Sequence, residues 1–530
     1  MLFTSYEFLG FILLLFVLYY IVPKKFQWTL LLIFSYIFYF IANPYYLIYI
    51  SVTTVTVYFL GCRIEKFHEE RKLYLKAHKE SLGKEEKKAY KNEIKRKQNR
   101  LLLLALLINL GILAVVKYSN FAIVNVNALL HFFGSRKELK VLDLLLPMGI
   151  SFYTFQAVGY LIDVYRETCP AQKNLFKFAL FVSFFPQLVQ GPISRYGDLS
   201  QTLYEEHPFV WERMSWGLQR ILWGYFKKLV IADRILVAVN ELIRNPDEYA
   251  GAYVFVGMLF YALELYADFT GGIDITIGVA QCLGVKVTEN FNRPYFSKSI
   301  KEYWRRWHMT MGTWFTDYIF YPISACQPML KLSKFSRKYL GEALGKRVPV
   351  YLSSFVVWFA TGIWHGASWN FIVWGLGNWV VIMISQELEP LYRKFHSKFH
   401  LENNMGFRMF QIIRTILLMS CLRTFDCYRD VPLTFKMFGT IFTVHNWNIL
   451  WDGSLLTLGM NPIDYVILIA GTLVLIMVSM LQRGGSVRDK IARKSYIVQF
   501  AIWYGLFLVV LLMGAYGIGY DASQFIYNQF

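Results

Sequence analysis

The sequence predicts an all-α polytopic membrane protein, and three observations carry that prediction. Hydrophobic residues fill 56% of the 530 positions and aromatic residues 18%, with a mean hydropathy of +0.36, above the roughly 45–50% apolar content of soluble domains. The apolar residues recur in runs near the roughly 20 residues that a helix needs to cross about 30 Å of hydrocarbon, without the alternation of about ten residues that marks a membrane barrel. Charge is confined to short hydrophilic segments between these runs.

In chain order, the first run, "FLGFILLLFVLYYIV", has no basic residue before it and no small-residue cleavage site after it, so it reads as a first span rather than a removable signal peptide. Spans near 7–22, 28–42 and 45–61 lead to a segment, Arg63 to Arg100, with 14 Lys/Arg against 7 Glu. Lys331 to Arg347 has 6 against 1, and Arg483 to Lys494 has 5 against 1. The positive-inside rule reads the segments 63–100, 324–348 and 483–494 as basic cytoplasmic loops of a single transmembrane domain, 1–530. The net charge of +19 is thus a topology signal rather than a nucleic-acid footprint. Counting spans outward from these loops places both termini outside the cytoplasm, including the terminal "GYDASQFIYNQF", and requires an even number of crossings. Six cysteines are scattered without C-x-x-C spacing, which indicates neither a zinc site nor a disulfide framework; no metal is expected.

The middle third mixes Pro, Gly and ionisable groups into apolar sequence at 146–166, 184–195 and 261–280. Such helices are expected to be broken or buried, because irregular backbone at membrane depth must be covered by protein or line a cavity. Glu264, Asp268 and Asp274 need cationic or hydrogen-bonding partners there. Asn290 and Arg293 of "ENFNRPY" offer them, so a structural polar core with an Asp268–Arg293 pair is expected.

Of nine histidines, His308 and His365 lie among aromatic residues in segments expected to reach membrane depth, where an ionisable side chain is a functional-site hypothesis by default. In "WRRWHMTMGTWF", helical spacing puts Trp304, Trp307, His308 and Met311 on one face and turns Arg305 and Arg306 away from its centre. The two arginines need partners or snorkel to lipid headgroups. In "FATGIWHGASWNFIVWGLGN", Gly362 and Gly366 stand four apart, a spacing that permits close helix approach, and His365 and Trp369 share a face. A straight helix starting after Arg347 would carry His365 about 27 Å inward at 1.5 Å per residue, to a bend near "HGAS" that opens outward. Neutral imidazole there can take a proton from an acceptor hydroxyl. The absence of G-x-S-x-G, Walker and H-E-x-x-H motifs argues against a serine hydrolase, a P-loop ATPase or a zinc protease. A proton-coupled transporter, with the carboxylates and histidines as relay, is the competing class.

Taken together, "LPMGISFYTFQAVGYLIDVYR", "FFPQLVQGPISR", "GYFKKLVIAD", "YADFTGGIDITIG", "ENFNRPYFSKSIKEYWRRWHMT", "GIWHGASWNFIVWG" and "FIYNQF" resemble the membrane-bound O-acyltransferase (MBOAT) family, in its bacterial branch of alginate O-acetylation and D-alanyl-lipoteichoic acid transfer. The resemblance implies about 10–12 tilted and re-entrant helices around a central tunnel, in a bacterial cell membrane. It implies His365 as base and His308 as a second essential position. The donor-binding set would draw on Trp304, Arg305, Arg306, Trp307, Trp364, Ser368, Trp369 and Asn370. No bound cofactor is implied; the co-substrate is an acyl thioester, acetyl-coenzyme A or an acyl carrier protein, and the acyl group ends on a surface polysaccharide. A separate extracytoplasmic partner of SGNH-hydrolase type would complete transfer. The stretch 324–350 departs from the resemblance in being longer and more basic, and it suits either docking of an acidic carrier protein or anionic lipid, or positive-inside charge alone. Acetyl is the expected group, with D-alanyl the alternative.

Overall fold

The computed structural model describes residues 3–401 and 404–516, and these form helices and connecting loops without a strand. The terminal "GYDASQFIYNQF" and the motif "FIYNQF" lie outside the described residues. The chain divides into two compact units, one made of residues 6–214 with 280–288, the other of 215–279 with 289 onward and a short piece near the N-terminus.

The first unit opens with α1 (Tyr6–Ile21), α2 (Gln27–Ala42), α3 (Tyr46–Ala77) and α4 (Lys84–Phe132). Leu9, Leu13, Leu14 and Val17 of α1 are exposed, as expected of side chains that face hydrocarbon. At 32 and 49 residues, α3 and α4 outrun a bilayer core. The basic stretch 63–100 is therefore a helical hairpin continuing two spans, closed by Tyr74 against Tyr90 at 4.1 Å between rings. His68 is buried in it beside Gln98 at 2.9 Å.

Next come α5 (Ile150–Tyr165), α6 (Leu175–Ser183), α7 (Phe185–Leu188) and α8 (Tyr196–Leu203). Almost all of α5 is buried and it is unbroken; the stretch 189–195 is irregular yet nearly as buried. Its backbone is covered by protein, as irregular structure at this depth must be. Just past α5, Glu167 meets Lys72 at 2.9 Å, His68 at 3.4 Å and Arg71. Burial alone would raise the Glu167 pKa, but hydrogen bonds from Lys72 and Arg71 outweigh it and hold the carboxyl at about 2. A depressed carboxyl pKa stabilises the folded state above the unfolded value, and that contribution is lost as pH falls from about 4.5 toward 2. Glu167→Gln is thus expected to lower the thermal midpoint at neutral pH, with the gap to the native protein closing across that acid window.

The second unit takes most of α9 (Trp211–Tyr225), a π-helical turn (Phe226–Ala232), α10 (Asp233–Arg244) and most of α11 (Ala252–Cys282). Helices α12 (Ile300–Trp304), α13 (Met309–Phe315), α14 (Tyr321–Ser324) and α15 (Gln327–Gly345) follow. Then come α16 (Val348–His365), α17 (Trp369–Glu387), α18 (Glu389–Lys398), α19 (Met405–Tyr428) and α20 (Val431–Thr443). The last are α21 (Pro462–Leu481), α22 (Val487–Ala492) and α23 (Tyr496–Met513). Among the described residues eight helices are long and apolar enough to cross a membrane, or nine with the bent pair α17–α18 counted as one span. Several remaining helices, α1 among them, are shorter than the roughly 20 residues of a full crossing, as re-entrant or tilted partial helices are.

The polar core differs from expectation in its partners. Asp268 does not pair with Arg293; it binds Lys228 at 2.7 Å, and Lys228 also binds Asp233 at 2.7 Å. Asp274 binds Arg220 at 2.8 Å and Lys227 at 2.6 Å. The reason is the π-helical turn, which buries two consecutive lysines on α11. Arg293 instead reaches the Ser479 carbonyl at 3.5 Å.

Candidate active site

Trp304, Trp307, His308 and Met311 do not share a face of one helix, because the helix breaks between them. α12 ends at Trp304 and α13 starts at Met309, with His308 between them in the left-handed region (φ 47°, ψ 52°). A non-glycine residue there costs energy and persists only where its surroundings over-determine it. Asn290 supplies that determination from the loop after α11. Its Oδ1 accepts from the Thr310 amide at 3.1 Å and the Thr310 hydroxyl at 2.9 Å and lies 3.3 Å from His308 Nδ1, while its carbonyl accepts from the Met309 amide at 2.9 Å. An amide oxygen only accepts, so this geometry favours the tautomer with the proton on Nδ1 and turns the Nε2 lone pair the other way. His308 is fully buried, with Phe269 edge-on at 5.0 Å and Trp364 at 5.8 Å between ring centroids.

His365 is the last residue of α16, which starts directly after Arg347 and runs 18 residues, about 27 Å. Gly366 is extended (φ −178°) and α17 begins at Trp369, so the chain does bend at "HGAS". The two antiparallel helices touch through glycine. A Cβ on Gly362 would stand 2.6 Å from the Phe371 carbonyl oxygen, and one on Gly375 would stand 2.5 Å from that of Trp358. Gly362 is therefore matched with Gly375 across the hairpin rather than with Gly366, which lies beyond the helix. Arg347 and Glu387 close the other end in an ion pair. Gly362→Val should separate α16 from α17 and cost about 1–3 kcal/mol from overpacking, read as a lowered thermal midpoint with a loss of activity.

The His365 ring sits against Trp364 at 5.1 Å, Phe371 at 6.4 Å and Trp374 at 4.6 Å, and is 5% exposed. Trp364 thus touches both imidazoles. The remaining sequence-derived positions divide. Trp307 is buried and stacks on Tyr303 at 5.5 Å, and Trp304 donates to Asn378 Oδ1 at 3.1 Å. Asn370 is buried and donates to the Phe425 carbonyl at 3.2 Å. Ser368 is half-buried at the start of α17. Trp369, however, is 55% exposed; the break at Gly366 takes it off the His365 face. Arg305 is exposed, whereas Arg306 binds Glu302 at 2.6 Å.

Arg423 of α19 is the residue that sequence reasoning missed. Its guanidinium lies 4.5 Å from the Trp374 ring, 5.3 Å from Trp307 and 5.6 Å from Trp304, and it binds Asp426 at 2.9 Å with both side chains nearly fully buried. A cation boxed by three indoles is strongly favoured when desolvated, and the pairing carboxylate neutralises it. The signal was present: "RTFD" sets opposite charges three apart inside an apolar run.

Two buried imidazoles flank one indole in an all-helical protein of many membrane-length helices, an arrangement that can serve acyl transfer with histidine as base. The comparisons agree: residues 171–427 match the model of the MBOAT, membrane-bound O-acyltransferase family, a stretch that contains His308, His365 and Arg423. A probable alginate O-acetylase of Azotobacter vinelandii is 34% identical over 72% of this chain and 68% of its own. A peptidoglycan O-acetyltransferase of Helicobacter pylori is 30% identical over 56% of this chain and 57% of its own, and a teichoic acid D-alanyltransferase of Bacillus subtilis 27% identical over 47% and 61%. The chain belongs to the MBOAT family and is a membrane O-acyltransferase.

Proposed function

We propose that this protein is an O-acetyltransferase that moves an acetyl group from a cytosolic thioester across a bacterial cell membrane to a cell-envelope polysaccharide, directly or through a partner protein. The observation that carries this reading is His365 at the far end of an 18-residue helix from Arg347, buried beside the indole that also touches His308. His365 acts as general base. It takes the proton of the acceptor hydroxyl as the oxygen attacks the thioester carbonyl; the C–S bond breaks, and the proton passes to the leaving thiolate.

His308 is a positioning residue. With Nδ1–H directed at Asn290, its Nε2 is an acceptor suited to an amide N–H of the donor's pantetheine arm, common to coenzyme A and acyl carrier proteins. Arg306 is committed to Glu302, which leaves Arg305 as the more accessible cation of the opening motif. The exposed Lys331, Lys334 and Lys338 of α15, interleaved with exposed Phe335 and Tyr339, suit docking of an acidic carrier protein on the cytosolic face. Both termini would lie outside, and an SGNH-hydrolase-like extracytoplasmic partner would complete transfer. The relatives support acetyl over D-alanyl, since the acetylases match more of this chain.

The test is transfer of radiolabelled acetyl from coenzyme A to envelope polysaccharide in membranes that contain or lack the chain. Chain-dependent label in polysaccharide, with one free thiol released per acetyl, is expected. Label from a D-alanyl donor alone would move the reading to D-alanyl transfer, and proton-coupled solute flux without acyl transfer would sink it. In the same assay, Asn290→Ala should raise the KM for the donor more than it lowers kcat, because it releases His308 without removing it.

A further inference from the structure

The second unit contains a cavity of about 960 Å³ between the π-helical turn, α11, α21 and α23, lined by neither His308 nor His365. It is polar at one end and apolar along the rest. Arg220, Lys227, Arg293 and Arg488 line the polar end against only Asp274 and Glu289, so the lining carries a net positive charge even after Asp274 pairs with Arg220 and Lys227 and Glu289 pairs with Arg220. The cations crowd one another. Burial, then Arg306 and Arg483, hold Arg293 below the usual arginine pKa, and burial followed by Arg220 does the same to Arg488.

From that end the wall runs along α21 from Gln482 back to Ile467, about 22 Å of helix. Ala470, Val474 and Met477 line it, faced by Leu506 and Val509 of α23 and by Trp223. Residues 483–494, which supply Arg488, belong to the basic segment assigned to the cytoplasmic side. The gradient therefore runs from a headgroup level into hydrocarbon.

We propose that this cavity holds one anionic glycerophospholipid, its phosphate between Arg293 and Arg488 and an acyl chain along α21 and α23, with Arg220 committed to Asp274 and Glu289. Charge complementarity selects an anion, and the long apolar wall selects an acyl chain over coenzyme A, whose pantetheine amides would find no partners there. His308 and His365 do not line it, but Met309, Phe291 and Asn292, the neighbours of His308 and Asn290, do, so the coenzyme A probe below distinguishes a lipid site from a donor channel.

The test is native mass spectrometry of the full chain released from vesicles of phosphatidylcholine mixed with phosphatidylglycerol, with coenzyme A as a third probe. One phosphatidylglycerol per chain, enriched over phosphatidylcholine, is expected. Arg488→Gln and Arg293→Gln should each weaken retention about fivefold, the worth of one cation near an anionic headgroup. Ala470→Trp, at an exposed helix position, should displace the lipid while leaving the thermal midpoint of the lipid-free protein unchanged. Equal retention of both lipids, retention unaltered by Ala470→Trp, or coenzyme A as the species that Ala470→Trp displaces would each overturn the proposal.

Discussion

His365→Ala is expected to lower acetyl transfer by about 10²–10⁴-fold, the contribution of a positioned general base, while the donor KM changes little. His365 ends α16 at the point where Gly366 opens the turn, so removing its ring leaves the α16–α17 contact at Gly362 and Gly375 in place. The loss should therefore appear in kcat at matched protein level and with a retained unfolding transition. His365→Gln, which keeps the volume and hydrogen-bonding capacity but cannot exchange a proton near neutral pH, should be as inactive as alanine. Activity restored by glutamine would mean that the ring only packs.

The second large effect is on stability. Arg423→Ala leaves the Asp426 carboxylate buried without its cation and opens the space among Trp304, Trp307 and Trp374. Breaking such a pair from one side costs about 3–5 kcal/mol, enough to lower membrane abundance severely. The double variant Arg423→Met/Asp426→Leu removes both charges and should recover most of that stability. Its activity is the informative readout: Trp374 bears on His365, so a stable but slow double variant would assign the guanidinium a positioning role. If Arg423→Ala unfolds at the native temperature, the buried pair is not holding the box.

Much of this was legible in sequence because the bilayer imposes lengths and patterns on its helices. The run starting after Arg347 ends at His365, and the bend at "HGAS" follows from the glycine and small residues there. What sequence hid depended on partners far apart in the chain. Asp268 announced a need for a cation, but only the π-helical turn that buries Lys227 and Lys228 decides that Lys228, not Arg293, supplies it. The periodicity around Trp304 suggested one helix, whereas the Asn290 contacts to Thr310 and Met309 hold His308 in a left-handed turn and end it. Trp369 looked like a neighbour of His365 under unbroken helical spacing; the extended Gly366 removes it. Gly375 was invisible as a partner of Gly362 until the hairpin closed, since nothing local distinguishes a contact glycine from any other.

Acyl transfer through this chain from one side of the membrane to the other, with His365 as base, requires that donor and acceptor react while a bilayer separates them. The most direct measurement uses sealed proteoliposomes of purified protein, with radiolabelled acetyl donor confined to one side and a hydroxyl acceptor, glycan or partner serine, to the other. Labelled acceptor is expected in the opposite compartment with the native chain, and at least about a hundredfold less with His365→Ala. Label that reaches the acceptor only when donor and acceptor share a compartment, or that persists in His365→Ala, would contradict it.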